Sequence, residues 1–323
     1  MKIKTITQKR FKIYANHSKN TYLAPNYHEI GWYSNKTETI LGVILFDLSD
    51  YDFNAILLGR DENNRFRAID CIDSFTTKKE CELWIKKNQL MKSTKPNTFV
   101  VGNNIKSLNI FETATRLKKK PEEINPDFKE LQTNPDYKAA KKVITELTTK
   151  FYDIDGNFID QFQSTGFDSR IWELYLNTYF QEEELIIERK YNTPDFLIQT
   201  HSQEVAIEAV IVGRSTTEDS DIYKVFNKVY LDEIAIKFSS SLTTKLNKEY
   251  WKLDHIKNKP IIFAIAYFDK KNLKPEYYKF LSCYLYGINY EKKNDDIIIK
   301  ENKTHQKKKW SPRFFWFFLL AKF

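Results

Sequence analysis

Glycine is scarce in this chain, eight in 323 residues. No G-x-G-x-x-G and no G-x-x-x-x-G-K-[ST] can be found, so folds that cradle a nucleotide phosphate against bare backbone are excluded. Cysteine is scarcer still. Cys71, Cys81 and Cys283 lie far apart with no C-x-x-C, which rules out a disulfide framework and a thiolate zinc site and suits a reducing cytoplasm. The five histidines never fall at H-x-H or H-x-x-x-H spacing, which argues against a histidine-based metal site. Long apolar runs are also missing. The opening MKIKTITQKR has no signal-like apolar core, and Phe314–Leu320 is far shorter than the ~20 residues of a spanning helix.

What is present is a core-forming composition, 41% apolar and 15% aromatic, which rules out wholesale disorder. The formal net charge of +8 is unevenly placed. Nine basic residues against three acids lie between Lys292 and Phe323, so the rest of the chain is nearly neutral. Net charge therefore carries no argument for nucleic acid in the folded body.

Ile40–Phe46, Ala55–Leu58 and Phe66–Ile72 read as three strands of a meander, separated by Asp- and Asn-rich turns. Ser74 or Thr76 is placed to cap a helix through Cys81, Trp84 and Ile85. These elements define an N-terminal α+β domain, residues 1–120. Residues 92–134, rich in Lys, Asn and Pro, read as a connection. A helix over 135–151 follows, with Ala139, Val143, Ile144 and Leu147 on one face. The linker and connecting helix together span 121–151, and a second domain runs from 152 to 300. In it, Asp168 or Ser169 caps a helix carrying Trp172 and Leu176. Strands at 184–189, 195–199 and 205–212, a helix over 222–250 and a nearly all-apolar strand at 260–268 complete an α/β sandwich. Residues 301–323 form a basic, aromatic tail without helical or strand period, read as an appended arm or as the product of a shifted reading frame.

Glu208 is the residue that asks for an explanation. It sits inside VAIEAVIV, and an ionised carboxylate in a buried strand is costly unless paired, metal-bound or protonated. Strand parity places it with Ala206 and Val210 on one face. Asp195 opens the preceding strand directly after Pro194. If the two strands are antiparallel neighbours, both carboxylates meet on that face, a hard-oxygen pair suited to Mg²⁺ or Mn²⁺.

Pro194-Asp195 followed by Glu208-Ala209-Val210, with Trp172-Glu173 on the helix before, resembles the PD-(D/E)XK nuclease superfamily. The resemblance implies a restriction-endonuclease-like mixed sheet flanked by helices for the C-terminal domain. It implies Asp195, Glu208 and the Ala209 carbonyl as ligands of Mg²⁺ or Mn²⁺, and Glu173 as the extra acid of the first core helix. The wider stretch FDSRIWELYL, PDFLI, VAIEAV, KLNKEYW and KPIIFAIAYF also resembles a group of poorly characterised bacterial proteins. One position departs from the motif: its lysine is replaced by Val210. Some superfamily members supply that lysine from a neighbouring element, and Lys245, then Lys248, on the following helix are the nearest substitutes, with Arg214 just past the strand.

The implied activity is divalent-metal-dependent hydrolysis of phosphodiester bonds, DNA before RNA, in a cytoplasmic protein compatible with a homodimer and with a bacterial defence or mobile-element role. Tyr250 and Trp251 are weaker candidates for contacts to nucleic acid, competing with a packing role at the helix end. Two other classes stay open. One is a degenerate nuclease fold used to bind nucleic acid or protein. The other is an interaction protein whose N-terminal domain does the work.

Overall fold

The computed structural model describes residues 3–19, 23–92, 108–111, 123–188, 190–200, 202–213, 228–268, 281, 284–286, 288–293, 296–301 and 317–322. The chain divides into two units. The first comprises Met1–Phe167 with Leu174–Ile186, and the second Asp168–Glu173 with Ile187–Phe323.

The first unit is built on an antiparallel sheet in simple sequential order: β1 (Lys4–Thr5), β2 (Tyr27–Ser34), β3 (Ile40–Asp47), β4 (Phe53–Arg60) and β5 (Phe66–Phe75). The three-stranded meander read from the sequence is present and is extended by β2 and β1. Alternation along β3 and β4 sends Ile40, Ile44, Ala55 and Leu57 to one face, where Cys81 and Ile85 of α2 (Lys78–Lys92) cover them. Gly42 permits that close approach, because a Cβ there would sit 2.9 Å from Ile85. The cap of α2 is neither Ser74 nor Thr76. Thr77 Oγ1 accepts from the Glu80 N–H at 3.3 Å and Glu80 Oε2 accepts from the Thr77 N–H at 2.9 Å, a reciprocal capping box.

The opposite face packs on α1 (Gln8–Ala15) through Phe11, Tyr14 and Ala15, with Leu41, Val43 and Leu58 beneath them. Within the stretch read as a connection, α3 (Pro126–Thr133) is a regular helix. Asn125 caps it and Pro126 sits at its first position, where the missing N–H costs nothing. After it, α4 (Lys138–Thr148) belongs to this unit, as does α5 (Phe158–Gln163). The first unit therefore runs well past residue 120. Polar contacts tie α4 to it, since Arg60 holds Glu146 at 2.6 Å, Lys142 reaches Glu38 at 3.4 Å, and Lys150 donates to the Ile13 carbonyl. The buried rings of Phe128, Phe158 and Phe162 pack α3 on α5.

The boundary falls within α6 (Phe167–Glu182), whose N-cap is Gly166 rather than Asp168 or Ser169. The second unit carries a mixed sheet in the order β12-β9-β8-β7-β6, formed by β6 (Ile186–Glu188), β7 (Phe196–Gln199), β8 (Glu204–Val212), β9 (Ile261–Tyr267) and β12 (Phe317–Lys322). β7 is antiparallel to β8, while β9 runs parallel to both β8 and β12. The apolar strand 261–267 is thus interior to its sheet, as its composition predicts. The tail contradicts its reading, since residues 317–322 form a strand of this sheet. A separate hairpin pairs β10 (Ile288–Lys293) with β11 (Asp296–Glu301). One face of the mixed sheet is covered by α7 (Lys228–Leu246), whose Phe238 and Leu242 pack on Ala206, Val210, Phe263 and Ile265. Trp172 of α6, fully buried, donates its indole N–H to the Ala264 carbonyl at 2.8 Å. Among the described residues, no helix is long and apolar enough to cross a membrane.

Candidate active site

β8 positions the first carboxylate. The Ala206 N–H donates to the Pro260 carbonyl at 2.9 Å, so the even-numbered residues of β8 turn their backbone groups toward β9. The odd-numbered ones face β7, in register Phe196↔Ile207. β7 begins at Phe196, so Ala209 projects its N–H and carbonyl beyond the end of that strand. Asp195 fills the gap: its Oδ2 accepts from the Ala209 N–H at 2.7 Å. The Asp195 N–H in turn donates to Glu208 Oε2 at 3.3 Å. The two acids are therefore interlocked across the end of the antiparallel pair.

Glu208 is only 3% exposed. Its side chain shares a face with Ala206 and Val210, and that face is the one α7 covers. On α7, Phe238, Leu242 and Lys245 fall at i, i+4 and i+7, one stripe toward the sheet. The two apolar members fill the core over Val210, and the third places its ammonium 2.5 Å from Glu208 Oε1. The cation at Glu208 is thus delivered by the helix, not by the strand that carries the carboxylate. Glu249, in the left-handed region at φ 49°, then reverses the chain into a short 3-10 turn, Tyr250–Lys252. This turn carries Tyr250 back beneath the helix end, where its hydroxyl donates to Glu208 Oε1 at 2.6 Å.

The electrostatics follow from this crowding. Burial and the neighbouring Glu208 push the Asp195 carboxyl up to about 7, with Glu173 adding to the rise and Lys245 and the Ala209 N–H opposing it. Burial works against the Lys245 ammonium, yet Glu208, Asp195 and Glu173 outweigh it and hold its pKa above the ordinary lysine value. Burial and Glu208 likewise raise the Tyr250 phenol, so its proton stays in place as a donor. Glu173 accepts from Arg170 at 2.5 Å.

Glu173, Asp195, Glu208 and Lys245 are therefore near enough to feel one another's charge. Lys248 is not part of this set. Its ammonium lies over the Tyr250 ring, 5.8 Å from the centroid, and it bonds to neither carboxylate. Tyr250 does not offer a stacking surface to nucleic acid, because it is 1% exposed; its role is the bond to Glu208. Trp251 is partly buried against the core of the unit, the packing position weighed for it. Arg214 lies outside the described residues.

Sequence reasoning missed the Tyr250 hydroxyl, whose only signal is an amphipathic residue just past a helix end. It also missed His255, which stacks on Tyr191 with centroids 3.9 Å apart and shares a 2.7 Å hydrogen bond with the Thr193 carbonyl. That contact anchors the turn leading into Asp195.

Among the described residues, no group of three or more His, Cys, Asp or Glu side chains is placed to hold a metal ion. The donor set at Asp195 and Glu208 is of a different kind, two carboxylates beside a strand carbonyl. The Ala209 carbonyl leaves the strand on the same side as its N–H, toward Asp195. Asp195 Oδ1 accepts no hydrogen bond from the described residues, and the two carboxylates face the single ammonium of Lys245. Oxygen donors with surplus negative charge fit a hard divalent cation. Compared with protein-family models, curated proteins and solved structures, the chain matches none.

Proposed function

We propose that the second unit is a metal-dependent phosphodiester hydrolase of the PD-(D/E)XK type, with a restriction-endonuclease-like sheet, acting on DNA before RNA. The observation that carries this reading is the Lys245 ammonium seated on Glu208, beside Asp195, where the motif position itself holds Val210. A buried strand glutamate with its own lysine delivered from another element is the arrangement a displaced motif lysine requires.

Asp195, Glu208 and the Ala209 carbonyl are the groups that would hold Mg²⁺ or Mn²⁺. Such an ion, when bound, supplies a Lewis acid and a water of lowered pKa. The chain's own groups do the rest. Tyr250 and the Asp195 N–H fix the Glu208 carboxylate in one orientation. Lys245, charged through the physiological range, offers N–H donors to an attacking water or to a phosphoryl oxygen as charge develops. Two carboxylates facing an anionic diester are repulsive without an intervening cation, which explains why the reaction needs one.

The test is cleavage of plasmid and single-stranded DNA, and of RNA, in Mg²⁺ or Mn²⁺. Wild type is set beside Asp195→Asn, Glu208→Gln and Lys245→Met. Activity lost in all three variants and in chelator is expected, and equal cleavage by all four proteins would sink the assignment. One observation favours a second reading, a catalytically degenerate binding module. Both Glu208 oxygens already have protein donors: Lys245 and Tyr250 on Oε1, the Asp195 N–H on Oε2. Calorimetric titration with Mn²⁺ separates the two, since a degenerate site takes up no metal.

A further inference from the structure

The first unit has a cavity of its own. Between the sheet and the segment around α1 lies a space of about 530 Å³, within the ~300–1,000 Å³ range of small-molecule sites. Its floor is apolar: Val43 and Leu45 of β3, Ile56 and Leu58 of β4, and Ala68 of β5. Leu45 and Ile56 are only partly covered by the core beneath them, and Ala68 is exposed. Among the described residues, no element covers the sheet face past α1.

The charge around the floor is one-sided. Lys12 and Lys19 line the cavity, but both are engaged: Lys19 with Glu29 at 3.4 Å and Glu184 at 2.7 Å, Lys12 with Glu184 at 3.8 Å. At the other end stand Asp47, Asp50, Asp52 and Asp73. Asp47 is satisfied by the Ser49 and Asp50 N–H groups. Asp50, Asp52 and Asp73 make no ion pair among the described residues, and Asp52 Oδ1 is shielded from water without a hydrogen-bond donor. Carboxylates at the mouth of an apolar concavity focus a negative potential into it, because the low-dielectric wall screens poorly. That field repels phosphates and carboxylates. An apolar floor of this area gives little to a bare metal ion.

We propose that this cavity binds a small organic cation, an apolar body lying on the β3–β5 floor with an ammonium or guanidinium at the Asp50–Asp52–Asp73 end. The cavity lies wholly within the first unit, so the outcome is independent of nuclease chemistry in the second.

Cys71 provides a local readout, since it lines the cavity and is exposed, whereas Cys81 is buried. The full chain is titrated with 2-naphthylmethylammonium and with 2-naphthoate. Binding is read by calorimetry, and protection of Cys71 from iodoacetamide by peptide mass spectrometry. The ammonium is expected to bind at least about tenfold tighter than the carboxylate and to protect Cys71. Asp50→Asn/Asp73→Asn, two exposed positions, is expected to remove about tenfold of that preference. Ala68→Phe, checked for native circular dichroism, should abolish binding by filling the floor. Equal binding of the two probes, binding that survives Ala68→Phe, or no saturable binding of the ammonium overturns the proposal. Protection of Cys71 by protein concentration alone, without probe, assigns the face to a second copy of the chain and also overturns it.

Discussion

Replacing Lys245 by Met separates a metal site from a mere ion pair. In the wild type the ammonium lies 2.5 Å from a carboxylate whose side chain is 3% exposed, while its own side chain is 25% exposed. Methionine keeps the length and apolar stem of lysine, so the packing over Leu242 changes little. What remains is Glu208 with the Tyr250 hydroxyl and one backbone N–H, facing Asp195 across the strand end. Removing one partner of a buried pair costs about 3–5 kcal/mol, and the quarter-exposed lysine places this case near the lower end, about 3 kcal/mol. With a urea m-value of about 2 kcal/mol per molar, the unfolding midpoint of the second unit should fall by about 1.5 M. Fluorescence of the buried Trp172, in a background with Trp32 and Trp84 of the first unit replaced by Phe, follows that transition. If the carboxylates form a divalent site, Mg²⁺ at about 100 times its dissociation constant restores about 2.7 kcal/mol to the variant. Lys245→Met/Glu208→Gln, which removes both members of the pair, should lie closer to wild type than the sum of the single changes and should not respond to Mg²⁺. A Lys245→Met protein destabilised in chelator and unmoved by Mg²⁺ would refute the metal reasoning. One not destabilised at all would refute the pairing.

Tyr250→Phe removes a 2.6 Å bond to a charged acceptor and should cost about 1.5–3 kcal/mol in urea unfolding of the same unit. In the first unit, burial raises the Glu38 carboxyl, but the Tyr14 hydroxyl at 2.6 Å, Arg10 at 2.7 Å and Lys142 outweigh it and bring it down from 4.5 to about 2. The folded state then binds this proton more weakly than the unfolded chain does. The stabilisation is complete above pH 4.5 and is lost as pH falls toward 2. Glu38→Gln should flatten the unfolding midpoint over that acid window, as measured by circular dichroism in urea. Thr77→Ala breaks the capping box of α2 and should cost about 1 kcal/mol in thermal or urea unfolding of the first unit.

The sequence disclosed Glu208 because a charge in an apolar strand is a local anomaly, visible without knowing any partner. Asp195 was legible through its offset from that strand, and Lys245 through its spacing from Leu242. Tyr250 was not, since its position on Glu208 depends on the left-handed turn at Glu249, a backbone state that an ordinary glutamate does not advertise. β2 hid for a related reason: the register shift between Glu29 and Gly31 breaks its alternation. The tail was misread on a physical point. A strand paired in parallel can carry a continuous apolar run even at the edge of its sheet, as β12 does, so the lack of period in Phe317–Leu320 is no argument against one. The prolines of the supposed connection were read as breakers, whereas Pro126 opens a helix.

The separation of Glu208 from Lys245 has a consequence for the birth of the protein. The acid precedes its cation by 37 residues, and the whole of α7 up to its last turn lies between them. During synthesis the carboxylates of Asp195 and Glu208 leave the ribosome first, into water, where they are cheap to keep charged. Only when α7 settles on the sheet does Glu208 lose its solvent, and the same motion delivers Lys245. Burial and neutralisation are therefore one event, and a chain cut short before residue 245 carries both acids without their counter-charge.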